Sequence, residues 1–156
     1  MNSKIVTAVR HAFVALLLSA LAFAQAAPSP GAQQNDAFTS DIAAKLLNQM
    51  RAGLEGHMQD QALSVFDFAK MSGGQAFKNQ IVSFFDRNSS IRVYFHVREA
   101  SMENGKGVAT VDVEMELEQR DSTAPPERRN AQLRFTAERT GSGWKFTDVQ
   151  PRNFFS

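Results

Sequence analysis

Cysteine is absent from the 156 residues of this chain, which removes at once a disulfide framework, a thiolate metal site, a cysteine nucleophile and a lipid-bearing cysteine. Charge of one sign is equally scarce. Seventeen Lys and Arg stand against 16 Asp and Glu, so no basic surface that would hold phosphates is expected, and nucleic acid is not an expected partner. No Gly-rich phosphate loop, Gly-x-Ser-x-Gly elbow or metalloprotease helix motif occurs. Beyond the N-terminal region there is no second long apolar run, so no stable membrane span is expected once that region is removed.

The N-terminal region itself has a secretory pattern. Lys4 and Arg10 supply a basic start, Ala12 to Ala24 is an uncharged run of 13 residues, and Ala24-Gln25-Ala26 sets small residues before Ala27. Residues 1–26 are read as a signal peptide, with a cut after Ala24 as the alternative, and the product as exported, periplasmic or secreted. A transmembrane helix is the competing reading, but it needs about 20 apolar residues. Removing 1–26 takes Lys4 and Arg10 and leaves 15 basic and 16 acidic residues, with 49 of 130 hydrophobic. One near-neutral domain is expected, stabilised by its core alone.

Residues 27–35 are polar and contain Pro28, Pro30 and Gly31, and read as a flexible leader. The domain then runs over 36–156. Phe38, Ile42, Leu46, Met50 and Leu54 recur every four residues beside Ala43 and Leu47, predicting an amphipathic helix that ends at Gly53 and Gly56. A short helix is expected at about 60–66 and a third at about 75–86, with Phe77, Ile81, Phe84 and Phe85 on one face. Eleven Phe remain after residue 26, and this cluster reads as core.

After Asn88 the period changes to two. Ile91, Val93, Phe95 and Val97 alternate with polar residues, as do Ala109, Val111, Val113, Met115 and Leu117, then Ala131, Leu133, Phe135 and Ala137, and finally Trp144 and Phe146. Residues 119–130 read as a charged connection, with Arg128 and Arg129 in a solvated loop. Same-face pairing across the first hairpin sets Arg92 near Glu116, Tyr94 near Glu114 and His96 near Asp112. Helices first and an antiparallel meander afterwards predict an α+β fold, about three helices on the concave face of a curved sheet.

The stretches Leu54 to Asp67, Gly74 to Phe85 and Gly143 to Phe155 resemble the nuclear transport factor 2-like superfamily, the cone-like fold of polyketide-cyclase-like and ketosteroid-isomerase-like proteins. The resemblance covers about residues 36–156 and rests on packing motifs. It implies a cone whose mouth lies between the helices and the concave sheet face, where enzymatic members carry acid/base groups. It also implies a homodimer through the outer sheet face. Activity varies widely within the fold.

The inward positions carry no titratable group, and Phe95, Val97, Val113, Met115, Phe135, Trp144 and Phe146 are the expected lining of an apolar pocket. Continuing the alternation from Phe146 turns Asp148 inward, opposite Phe135, where desolvation would raise its pKa toward acid/base work. The alternative is a bulge that gives Val149 the inward place and leaves Asp148 at the rim. His96 is expected in exposed contact with Asp112. His57 has no partner at ligand spacing, so neither a metal nor another cofactor is expected. Glu99 and Arg139 share inward parity and are expected to pair at the cone's edge. The leading functional expectation is a non-catalytic domain binding a small apolar molecule or an envelope protein. An isomerase, dehydratase or hydrolase using Asp148 is the runner-up, and a module docking through the 119–130 loop or the Phe154-Phe155 end the third.

Overall fold

The computed structural model describes residues 37–156. The signal peptide and the leader assigned to 1–26 and 27–35 lie outside the described residues. Three helices come first, α1 (Ser40–Glu55), α2 (Gln59–Leu63) and α3 (Gly74–Arg87), followed by β1 (Asn88–Glu103), β2 (Lys106–Gln119), β3 (Glu127–Thr140) and β4 (Gly143–Gln150), and a closing 3-10 turn (Arg152–Phe155). The strands form one antiparallel sheet in the order β1-β2-β3-β4. This is the α+β arrangement expected, with the helices packed on one face.

α1 starts where Thr39 Oγ1 accepts from the Ile42 N–H at 3.3 Å, and it stops at Gly56, whose N–H reaches the Ala52 carbonyl at 3.0 Å. Gly53 is not the terminator the sequence suggested. It lies inside the helix, and a Cβ there would overlap the backbone of Ala62, so the missing side chain is what lets α2 lie directly on α1.

The β1–β2 register pairs Arg92 with Glu116, Tyr94 with Glu114 and His96 with Asp112, as the alternation required. Register shifts between Asn88 and Ser90 and between Val97 and Glu99 in β1, and between Phe146 and Asp148 in β4, change the facing of the residues beyond them. Between Val97 and Glu99 the register shifts, so Glu99 lies opposite the outward Thr110. Glu99 therefore leaves the inward parity expected of it, and among the described residues it has no ion-pair partner. β3 also begins earlier than expected, at Glu127. Arg129 is no loop residue: it bonds Glu127 at 2.7 Å and the carbonyls of Phe154 and Ser156 at 2.9 and 2.7 Å.

The core is largely phenylalanine. Rings run in contact from Phe135 to Phe146 (4.6 Å between centroids), Phe66 (5.9 Å), Phe77 (5.5 Å), Phe155 (6.2 Å) and Phe84 (6.1 Å). Phe154 and Phe155 are both buried, so the chain end expected to offer a docking surface belongs to the core instead. Both sheet edges are occupied in part. The Phe146 N–H donates to the Val65 carbonyl and its carbonyl accepts from Asp67, each at 2.8 Å, while the Val93 N–H on β1 donates to Glu55 Oε1 at 3.1 Å.

Candidate functional site

Asp148 is positioned by the bulge in β4. Ala137 pairs with Phe146, but Thr136 then pairs with Asp148 and Phe135 with Val149, so Thr147 is the extra residue. Val149 is fully buried in the inward place that direct alternation would give to Asp148. The Asp148 carboxylate instead accepts from Arg152 Nε and Nη2 at 3.1 and 2.5 Å and from Gln150 Nε2 at 3.1 Å. Arg152 also donates to the Ser72 carbonyl at 2.7 Å, and its guanidinium lies 5.7 Å from the Phe77 ring centroid. Burial alone would push the Asp148 carboxyl up, but the hydrogen bonds from Arg152, Gln150 and the Val149 N–H, with the Arg152 charge, outweigh it and hold the pKa below the ordinary value. The arrangement fits a clasp joining the chain after β4 to the segment before α3.

The seven expected pocket residues are divided among different places. Val113, Met115, Phe135 and Phe146 are buried in the continuous core. Phe95 and Val97 line a shallow hollow of about 220 Å³ with Asp41, Ala44 and Asn48 of α1. Trp144, 5.1 Å from the Phe38 ring, lines a groove of about 420 Å³ with Ile42, Leu46, Val65, Lys45 and Lys145. The cause is the ring run, which fills the space between helices and sheet.

The histidines stay apart. His57 Nε2 is 2.8 Å from the Ser89 carbonyl, and its ring is 5.9 Å from that of Phe85. His96 pairs in register with Asp112, but the Asp112 carboxylate is taken by Arg98 at 3.4 Å and Gln132 at 3.0 Å. Among the described residues no three His, Asp or Glu side chains gather as metal ligands.

The outer sheet face carries a second hollow, of about 360 Å³, around Arg92, Tyr94, Glu114, Glu116, Arg128 and Asn130. Tyr94 is 65% exposed at its centre. Around this hollow charge alternates by strand, with Arg92 on β1, Glu114 and Glu116 on β2 and Arg128 on β3, and Glu116 bridges Arg92 (3.5 Å) and Arg128 (3.0 Å); farther along β1, Glu99 and Glu103 are acidic, Glu103 lying 2.6 Å from Arg134 of β3. Sequence reasoning found the β1 and β2 charges of the hollow and missed that of β3, because it took Arg128 for a loop residue.

No family model matches the sequence, and no curated protein matches it. Solved structures do. A conserved protein from Planctomyces limnophilus superimposes with a TM-score of 0.60 at 9% identity, over 69% of this chain and 89% of its own. A nuclear transport factor 2-like superfamily protein from Salmonella enterica gives 0.58 at 10% identity, over 70% and 86%. A protein of the same fold and of unknown function from Shewanella oneidensis gives 0.55 at 12% identity, over 70% and 94%. At these identities the likeness shows the fold, which is nuclear transport factor 2-like.

Proposed function

We propose that this chain, with its nuclear transport factor 2-like fold, is an exported, non-catalytic domain that works through the open outer face of its sheet. The observation that carries the reading is the ring run from Phe135 to Phe84, which occupies the space where an enzyme of this shape would hold substrate. Asp148, the carboxylate considered for acid/base work, is engaged by Arg152 with a lowered pKa, which suits a structural anion rather than a proton carrier at neutral pH. Export rests on the signal-like pattern of residues 1–26.

The occupant we favour for the outer face is a second copy. Around the hollow, the basic Arg92 on β1, the acidic Glu114 and Glu116 on β2 and the basic Arg128 on β3 are self-complementary. A copy turned about a two-fold axis running between β1 and β2 lays Arg92 over the partner's Glu116, and the reverse. Sedimentation equilibrium of residues 27–156 at micromolar concentration tests this. A dimer is expected that weakens with salt and on Glu114→Arg; a monomer throughout the range would overturn the self-docking reading.

A further inference from the structure

The groove between α1 and the β3–β4 turn lies outside both the filled cone and the outer sheet face. Its apolar surface comes from Ile42 and Leu46 on α1, left half-buried beside the fully packed Ala43 and Leu47, together with Val65 and Trp144. At about 420 Å³ it falls within the size range of small-molecule pockets, roughly 300–1,000 Å³.

Its polar groups are unbalanced. Lys45 and Lys145 line the groove, no carboxylate does, and neither lysine has an ion-pair partner among the described residues. Glu138, the cross-strand neighbour of Lys145, is already held by Lys106 at 2.7 Å and Lys70 at 3.3 Å. Trp144 lines the groove as well, and its Nε1–H is shielded from water and has no acceptor among the described residues.

We infer that this groove binds a small amphiphilic carboxylate, its apolar part against Ile42, Leu46 and Trp144 and its charge between Lys45 and Lys145. An apolar wall flanked by unpaired cations favours an anion with a hydrocarbon body over a neutral lipid, which leaves the lysines unmatched, and over a cation, which they repel.

Trp144 is the sole tryptophan of the chain, so intrinsic fluorescence reads this groove directly. Residues 27–156 are titrated with decanoate, decanol and decyltrimethylammonium, each below its micelle concentration. Decanoate should give a saturable emission change, decanol should bind at least about tenfold more weakly, and the cation should give none. In the doubly substituted Lys45→Ala, Lys145→Ala protein, decanoate should fall to the level of decanol while the decanol response and the thermal unfolding midpoint stay as in the parent. Equal binding of decanoate and decanol by the parent protein would overturn the assignment. So would unchanged decanoate affinity in the lysine variant, or emission that changes only with protein concentration, which would put a second copy in the groove.

Discussion

Thr136 lies opposite Asp148 and Phe135 opposite Val149 across the β3–β4 pair. That one-residue offset decides the chemistry of the chain's most conspicuous carboxylate. Without the extra Thr147, Asp148 would share the core with Phe135 and Phe146; with it, the side chain meets Arg152 instead.

The pH dependence of Asp148 comes from its lowered pKa. A carboxyl with a folded-state value below its unfolded value of about 3.9 adds stability that is complete above that value and is lost as pH falls through the folded value. The pair is partly exposed, so Asp148→Asn should cost only about 0.5–1 kcal/mol at neutral pH. Urea titrations at neutral pH and at successively lower pH below about 3.9 check this. The difference should shrink as pH falls, and one that stays constant would show that the charge is not the cause.

Gly53→Ala separates helix propensity from packing. Propensity alone would stabilise the helix by about 1 kcal/mol. Because the new Cβ would overlap the Ala62 backbone, we expect a net loss of about 1–3 kcal/mol instead. Thermal unfolding gives the sign directly.

Phe146→Ala removes the ring that joins Phe135 to Phe66. Truncating such a fully buried ring should cost about 3–5 kcal/mol, while Tyr94→Ala on the outer face should change stability by less than about 0.5 kcal/mol. Chemical denaturation of the two variants side by side makes the comparison. Equal losses would argue that the outer face is covered within the folded chain.

Intact mass of the product recovered outside the cytoplasm tests the reading of residues 1–26. We expect a chain beginning at Ala27, with one beginning at Gln25 marking the alternative cut. A product that retains Met1 would sink the export assignment.

Much of this fold was legible because period determines face. Alternation over 91–97 and 109–117 set the first hairpin register residue by residue, and the four-residue recurrence from Ile42 to Leu54 set α1. Bulges were harder, since they change parity midway along a strand. The trace of those after Val97 and Phe146 is an apolar spacing of three rather than two, at Val97 to Ala100 and at Phe146 to Val149, and the second is legible there as the rim placement of Asp148. Gly53 misled because a glycine near a helix end looks the same whether it stops the helix or admits a neighbour. The groove beside Trp144 had no local signal at all. It exists because a turn near residue 142 comes to rest against a helix some hundred positions earlier, and periodicity says nothing about such meetings.

The clasp between Ser72 and Arg152 spans 80 residues, and the same closing region brings Phe146 onto Phe66 and Phe155 onto Phe77. Until those residues have been synthesised, Phe66 and Phe77 have each other and Phe68 but lack Phe146 and Phe155. The long-range part of the ring packing is therefore completed last. Under the export proposed from residues 1–26, that order would leave the chain threadable until its last strand has crossed the membrane, with no disulfide to lock it.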